Sequence, residues 1–233
     1  MDRSMSEKRV SFRGHTPFHP VAVAPRVGEL QTIFLLSPAN LSGVRGKLLL
    51  RDSCKSELSH RLRSSQATLG EVFSFVSGLY FRGKLAYARR FANPPVGLSG
   101  IRVITASSGL LTPDHPMTVD VLRAMAKSIV HAENPKYRDP LIRDARQLND
   151  SLPPDVAIVL LGSIATPKYL EPLLDIFGAR LFFPSDFVGR GDMSRGSLLL
   201  RCTREDLQLS YAPVGATGLD TLLRRKSDAA SKL

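Results

Sequence analysis

A run of seven residues, Asp155–Leu161 (DVAIVLL), is the feature that most constrains the fold of this chain. All of its residues after Asp155 are apolar, and small turn-forming residues follow it from Gly162 onward. Short continuous apolar runs of this kind are typical of strands buried on both faces, as in parallel sheets. The run therefore predicts a central strand in a sheet that helices cover.

Further short apolar runs share this pattern and end in turn-forming residues: Thr32–Leu36, Ile101–Thr105 and Leu181–Phe183. Segments with helical periodicity lie between them, and strands that alternate with helices are typical of α/β proteins. The sequence therefore predicts an α/β fold with a mainly parallel or mixed sheet flanked by helices.

The other elements follow from periodicity and from helix start signals. Thr118 and Thr166 are predicted N-caps, and Pro167 is the expected first residue of the helix after Thr166. The apolar segment 67–79 fits a helix or a strand. We expect helices over 43–63, 80–91, 118–130, 140–149 and 167–177, and strands near 197–202 and 207–211.

The chain has 233 residues, enough for one sizeable core, and no internal repeat or linker divides it. We predict one domain over 30–213. The segment 1–29, rich in Ser, Arg, His and Pro, is expected to be a flexible basic arm, and 214–233 a flexible basic tail.

The composition is strongly basic, with 32 Lys and Arg against 21 Asp and Glu, a formal net charge of +11. This excess favours a polyanionic partner, nucleic acid or a nucleotide ahead of an anionic membrane surface, although basic residues also serve solubility alone. No apolar stretch approaches the roughly 18 residues of a membrane span, and no signal peptide is recognised, so we expect a cytoplasmic protein without a membrane span. Cys54 and Cys202 lack metal-ligand spacing, and we predict no metal and no cofactor.

Basic side chains are concentrated in two segments, 45–63 and 82–90. The pattern in 45–63 is typical of a helix face that follows the phosphates of a nucleic acid, and equally of a solvated helix face. In the second segment, aromatic residues lie between the basic ones and could stack on nucleobases, although at these spacings they are more often part of the core. Under the first interpretation the phosphate-binding residues are Arg45, Lys47, Arg51, Arg82, Lys84, Arg89 and Arg90.

Small polar residues follow each predicted parallel strand, in segments 37–40, 105–110, 162–166 and 184–195. Ligands of parallel sheets bind outside the carboxyl ends of the strands, so these segments are expected to share one site. Glycine and serine also serve turn geometry alone, and that interpretation stays open. The candidate ligand-binding residues here are Ser37, Asn40, Ser107, Ser108, Gly109, Ser163, Arg190, Asp192, Ser194 and Arg195.

The segment Gly189–Gly196 (GRGDMSRG) contains three glycines and two arginines in eight residues and is expected to be a loop between two buried strands. Glycine allows close approach of the backbone, and arginine binds phosphate or carboxylate through a planar fork. We interpret Arg190 and Arg195 as anion ligands, with Asp192 orienting them or reading a base edge. In the alternative, Asp192 pairs with an arginine and only rigidifies the loop.

The common catalytic motifs are absent: the sequence has no G-x-S-x-G elbow, no Walker A motif, no G-x-G-x-x-G after a strand and no H-E-x-x-H. The pattern of residues therefore specifies no reaction.

Several segments resemble, in the same order, those of the YaaA family of peroxide stress resistance proteins. They are IFLLSPAN (Ile33–Asn40), VFSFVSGLYFRG (Val72–Gly83), IRVITASSGLLTPDHPM (Ile101–Met117), VLLGSIATPKYLEPL (Val159–Leu173) and GRGDMSRGSLLLR (Gly189–Arg201). The last is the most specific, because its Arg-Gly and Met-Ser-Arg match the family pattern residue by residue. The fourth segment adds Lys168 and Tyr169 to the candidate ligand-binding residues.

The resemblance implies an α/β protein that binds DNA and helps to protect it in oxidative stress. Distant look-alikes occur as domains of enzymes that modify deazaguanine bases in nucleic acid. An enzyme acting on a nucleotide or nucleobase through the strand-end loops is therefore the alternative.

Overall fold

The computed structural model describes residues 30–164 and 167–215. The predicted arm (1–29), the part of the predicted tail beyond 215 and the predicted N-cap Thr166 lie outside the described residues.

A six-stranded mixed sheet forms the centre of the fold, in the order β4-β3-β1-β6-β7-β8. The inner strands β3, β1, β6 and β7 are parallel, and the edge strands β4 and β8 are antiparallel to their neighbours. A separate hairpin pairs β2 with β5. The strands are β1 (Thr32–Leu36), β2 (Ala67–Thr68), β3 (Ile101–Ile104), β4 (Leu110–Leu111), β5 (Pro116–Met117), β6 (Ala157–Leu161), β7 (Leu181–Pro184) and β8 (Tyr211–Pro213).

Helices cover both faces of the sheet, which confirms the predicted α/β class. They are α1 (Val44–Leu49), α2 (Glu57–Arg63), α3 (Leu69–Ser77), α4 (Leu79–Phe91), α5 (Val119–Lys127), α6 (Pro135–Asp150), α7 (Pro167–Phe177) and α8 (Asp192–Glu205). Helices α1 to α5 and α8 share one hydrophobic cluster with one face of the sheet, and α6 and α7 share the second cluster with the other.

The period of two in a strand divides β1 between these clusters. Phe34 and Leu36 belong to the first cluster, whereas Ile33 and Leu35 belong to the second. Every residue of β1 and β6 is buried, as the continuous apolar runs predicted.

The prediction of a strand near 197–202 was wrong, because this segment lies inside α8. Its apolar residues Leu198, Leu199 and Cys202 are buried, and their spacing fits one face of a helix that packs on α4. A short apolar run does not by itself distinguish a buried strand from a buried helix. The predicted loop Gly189–Gly196 accordingly ends at Gly191, the N-cap of α8.

Several smaller boundaries also differ. The helix predicted over 140–149 is α6, which begins at Pro135 because the Asn134 side chain caps it. The pattern over 43–63 breaks into α1 and α2, because Ser56 starts a new helix by accepting a hydrogen bond from the Ser59 N–H at 3.2 Å. The ambiguous segment 67–79 is mainly α3, which a reciprocal capping box of Thr68 and Glu71 begins. The strand expected at 207–211 begins at Tyr211 and pairs with β7.

Two glycines let α4 and α8 cross at close range. A Cβ atom on Gly83 would lie 2.7 Å from the Gly196 carbonyl oxygen, and one on Gly196 would lie 2.9 Å from the Cα of Tyr80. Glycine at both positions therefore brings the first turn of α8 close to the part of α4 that carries Tyr80 and Lys84.

Candidate functional site

The connections that follow β1 and β6, two adjacent strands, leave the sheet on opposite faces. After β1 it enters the helices on one face of the sheet, and after β6 it enters α7 on the other. The Ser37 N–H donates to the Leu161 carbonyl at 3.2 Å, and a Cβ on Gly162 would lie 2.9 Å from the Ser37 Cβ. In open α/β sheets such a topological switch point is where ligands bind.

An open cleft of about 370 Å³ lies at this point, and we call it the edge cleft. Its volume falls in the range of small-ligand sites, about 300–1,000 Å³. The described residues that line it include two lysines and no carboxylate. They are Pro38 to Ser42, Phe73, Ala106, Met125 to Val130, Lys168 and Tyr169.

Local hydrogen bonds fix the mouth of the edge cleft. The Asn40 side-chain oxygen accepts from the Ser42 N–H at 3.1 Å and from the Ser42 hydroxyl at 2.7 Å. Two other lining residues are joined as well, since the Ser128 hydroxyl donates to the Ala106 carbonyl at 2.6 Å. The Lys168 ammonium lies 5.1 Å from the centre of the Tyr169 ring. The cleft therefore combines fixed walls with a cation held beside an aromatic ring.

Lys84 is not a surface phosphate ligand, and that prediction was wrong. Its side chain is 1% exposed, and its Nζ donates to the Ser37 carbonyl at 2.7 Å and to the Ser37 hydroxyl at 2.8 Å. The nitrogen also lies 4.5 Å from the centre of the Tyr80 ring. Burial lowers the pKa of Lys84 to about 7, Asp192 opposes this shift and Arg195 adds to it. Helical spacing from the buried Tyr80 and Ala88 placed Lys84 on the inward face.

The arginines after β7 use their donors within the protein. Arg190 Nε donates to the Asp186 carbonyl at 2.9 Å, and a second nitrogen donates to the Ser194 hydroxyl at 3.2 Å. Arg195 donates twice to the Phe187 carbonyl, at 3.2 and 3.1 Å, and lies 3.8 Å from an Asp192 oxygen. This geometry matches the alternative in which Asp192 and an arginine rigidify the segment.

Ser107, Ser108 and Gly109 form the turn between β3 and β4 rather than a wall of the edge cleft. The Thr105 hydroxyl accepts from the Ser108 N–H and donates to the Gly109 carbonyl, both at 2.9 Å. Gly109 has a φ of +65°, and a Cβ there would overlap the Asp144 carboxylate. Asp144 in turn accepts from the Leu110 N–H at 2.9 Å. Of the candidates named from the sequence, Asn40, Lys168 and Tyr169 line the cleft, and Ser37 and Ser163 flank the switch point.

Two buried tyrosines near this edge were missed by the sequence analysis. Tyr80 and Tyr137 have buried hydroxyls that make no hydrogen bond with the described residues. Burial raises the pKa of Tyr80 to about 12 and also raises the pKa of Tyr137 and of Tyr169. The burial of Tyr80 and Tyr137 was predictable from helical spacing. Whether their hydroxyls find a hydrogen-bond partner depends on tertiary contacts, which the sequence does not show.

Four of the predicted nucleic-acid ligands are exposed: Arg45, Lys47, Arg51 and Arg82. Arg89 and Arg90 are exposed too, but they lie 3.1 Å from Asp114 and 2.5 Å from Asp206, respectively. Arg45 reaches across to donate to the Phe75 carbonyl of α3 at 3.3 Å. The exposed cations thus lie on α1, just after it, and on α4.

Among the described residues, no group of three or more His, Cys, Asp or Glu side chains is arranged to hold a metal ion. In the same ranges, no helix is long and apolar enough to cross a membrane. Comparisons of the chain with family models, with curated proteins and with solved structures found no match.

Proposed function

We propose that the protein binds a nucleotide or nucleobase in the edge cleft. The observation that carries this proposal is the position of the cleft, at the topological switch point between β1 and β6. Sites of this kind are concave, mostly apolar and supplied with a few placed polar groups.

The lining of the edge cleft supports an anionic ligand with a flat apolar part. Lys127 and Lys168 give it positive charge, and the described lining residues contain no opposing carboxylate. Pro38, Ile129 and Val130 line the cleft with partly or fully exposed side chains and offer apolar surface for a base. Lys127 is exposed and Lys168 partly exposed, so a phosphate beside them keeps part of its hydration.

The proposal concerns binding and includes no reaction. Lys84 is the group whose pKa, about 7, suits proton transfer near neutrality. It is buried against Ser37 and does not line the edge cleft, so its access to a bound ligand is not part of the proposal.

Thermal unfolding with a panel of nucleobases, nucleosides and 5′-mononucleotides tests the proposal, because a ligand that binds the folded state raises the melting temperature. We expect at least one nucleotide to raise it in the wild type. Lys168→Ala should weaken nucleotide binding about tenfold, on the scale of one charge-assisted contact. Lys136→Ala, an exposed lysine of α6 outside the cleft, is the matched control. A wild-type melting temperature that no member of the panel changes refutes the proposal.

A second candidate function is nucleic-acid binding, with DNA as the partner and protection of DNA in oxidative stress as the role that the YaaA resemblance implies. The observation that favours it is the set of exposed cations on α1, just after α1 and on α4: Arg45, Lys47, Arg51 and Arg82. Each phosphate that a cation neutralises releases counterions, so affinity should fall steeply with salt.

The test is the salt dependence of DNA binding by the wild type and by a variant with these four residues changed to Gln. The variant should have a weaker affinity and a slope of log K against log salt that is shallower by about 0.9 for each phosphate that it no longer neutralises. The matched control replaces four basic residues of α6, on the other face of the sheet: Lys136, Arg138, Arg143 and Arg146. Equal slopes for the three proteins would exclude this surface as the interface.

A further inference from the structure

We infer that the nucleotide in the edge cleft is one unit of a single-stranded nucleic acid, and that the phosphates next to it lie on the cations of α1 and of the start of α4. This inference rests on the proposed nucleotide-binding function and names the class of its ligand. It joins the edge cleft and the neighbouring cations into one binding surface.

The first observation is that the chain passes directly from the wall of the edge cleft into α1. Asn40 and Ser42 line the cleft, Gly43 is the N-cap of α1, and Arg45 lies in the first turn of that helix. Asn40 and Ser42 are both exposed, and so is Arg45. A ligand that extends out of the cleft past Ser42 therefore meets the cations of α1.

The second observation is that Arg45 joins α1 to α3 and α4. Its guanidinium donates to the Phe75 carbonyl at 3.3 Å, two residues after Phe73, which lines the cleft. A Cβ atom on Gly78, the N-cap of α4, would lie 2.8 Å from the same guanidinium. The Arg82 N–H donates to the Gly78 carbonyl at 3.1 Å, so Arg82 follows one turn later on α4. The cations of α1 and of the start of α4 therefore adjoin one another beside the cleft.

The third observation is that most of these cations are not engaged within the protein. The side chains of Lys47, Arg51 and Arg82 are exposed and make no hydrogen bond or ion pair with the described residues. Arg89 and Arg90, near the end of α4, instead form ion pairs with aspartates. Charge for a second and a third phosphate is therefore present close to the cleft and absent from the far end of α4.

The fourth observation is the composition of this surface. The segments 37–51 and 79–91 contain no Asp or Glu, so neither repels a phosphate. Val44 is 85% exposed and Leu48 is 40% exposed, which places apolar side chains among the cations of α1. Proteins that bind single strands combine cations that follow the backbone with nonpolar surface for the bases. A nucleotide strand can use both features of α1, whereas a chain of phosphates alone uses only the cations.

The size of the edge cleft favours a single strand over a duplex. Its volume of about 370 Å³ suits one small ligand. A base in a duplex reaches such a site only after it is extruded from the stack, which costs unpairing energy, whereas a base in a single strand is already accessible. We therefore expect one unpaired nucleotide in the cleft and its neighbours outside it.

The experiment compares each 5′-mononucleotide with the 5′-phosphorylated homotrinucleotide of the same base, in the ribose and deoxyribose series. Affinities are measured by calorimetry for the wild type, for Arg45→Gln/Arg82→Gln and for Lys136→Gln/Arg138→Gln. Both variants lose two positive charges, but Lys136 and Arg138 are exposed on α6, which packs on the other face of the sheet. A difference between the two variants therefore reports where the charge lies rather than the net charge.

We expect the wild type and Lys136→Gln/Arg138→Gln to bind the trinucleotide of at least one base about tenfold or more tightly than its mononucleotide, on the scale of one additional charge-assisted contact. In Arg45→Gln/Arg82→Gln this ratio should fall close to one. Lys168→Ala should weaken trinucleotide binding about tenfold, because one nucleotide of the strand occupies the cleft.

Three results would each overturn the inference and leave the proposed function standing. They are a trinucleotide that binds no more tightly than its mononucleotide, a ratio that Arg45→Gln/Arg82→Gln leaves unchanged, and trinucleotide binding that Lys168→Ala leaves unchanged. If neither kind of ligand binds the wild type, the inference and the proposed function both fail.

Discussion

The Lys84 ammonium nitrogen lies 2.7 Å from the Ser37 carbonyl oxygen and 2.8 Å from the Ser37 hydroxyl, so that one buried amine joins α4 to the end of β1. Ser37 also bonds the end of β6, because its N–H donates to the Leu161 carbonyl. Lys84 therefore links α4 to both strands at the switch point where we place the ligand.

This placement gives the stability of the protein a defined dependence on pH. The pKa of Lys84 is lowered to about 7 in the folded state and is near 10.4 in the unfolded chain. Between these values the unfolded state binds more protons, so the free energy of unfolding rises with pH from about 7 upward. Between about pH 7 and pH 9 the free energy of unfolding of the wild type, measured in urea, should rise by about 2 kcal/mol more than that of Lys84→Met.

The exposed Lys127→Met variant serves as the control for this prediction, because its stability should run parallel to that of the wild type over the same pH range. A constant difference between the wild type and Lys84→Met would show that Lys84 keeps its ordinary pKa in the folded protein.

Removing a buried tyrosine hydroxyl should affect stability according to whether that hydroxyl is paired in the folded protein. Tyr80→Phe and Tyr137→Phe each remove an unpaired buried hydroxyl, so the free energy of unfolding should stay the same or rise. Tyr87→Phe removes a hydroxyl that bonds Tyr211 and the Leu209 N–H, and should lower it by about 1–2 kcal/mol. Chemical denaturation of the three variants measures these changes. A decrease from Tyr80→Phe as large as that from Tyr87→Phe would mean that the Tyr80 hydroxyl has a partner.

The crossing of α4 and α8 should tolerate no added methyl group. In Gly83→Ala the new Cβ would lie 2.7 Å from the Gly196 carbonyl oxygen. This oxygen belongs to the backbone, so no side-chain rotation can relieve the clash. Overpacking of this kind costs about 1–3 kcal/mol or more, and the melting temperature should fall accordingly. Gly191→Ala is the matched control, since no atom lies within 4 Å of the added Cβ and its φ is −79°. If both variants melt at the same temperature, the close approach of the two helices is wrong.

The parallel strands were predictable because a run such as Asp155–Leu161 is short, is rich in β-branched residues and is followed at once by Gly162, and these features together favour a strand over a helix. The rule that residues after parallel strands share one edge of the sheet also named Asn40, whereas Lys168 and Tyr169 came from the resemblance to the YaaA family. All three line the edge cleft. Sequence reasoning failed at α8, where Leu198 to Leu200 fit a helix and a strand equally and only packing on α4 decides. It failed at Lys84 because positive charge was taken as a sign of exposure, although the helical period set by Tyr80 pointed the side chain inward.

Arg195 distinguishes the two interpretations of Gly189–Gly196, in which its arginines either bind an anion or only rigidify the segment. Its guanidinium donates twice to the Phe187 carbonyl, lies 5.4 Å from the Phe187 ring centre, and is 13% exposed. Arg195→Lys keeps the charge and removes the double donation, so we expect a decrease of about 1–2 kcal/mol in the free energy of unfolding. If Arg195 only rigidifies the segment, its substitution should change nucleotide affinity by less than about twofold at a temperature where both proteins are fully folded. A lost direct contact worth about 1.4 kcal/mol would instead weaken binding about tenfold. Unfolding titrations and calorimetry on the same preparation separate the two effects. A tenfold decrease of affinity with unchanged stability would restore Arg195 as a direct anion ligand, because a bound phosphate would then be its principal partner.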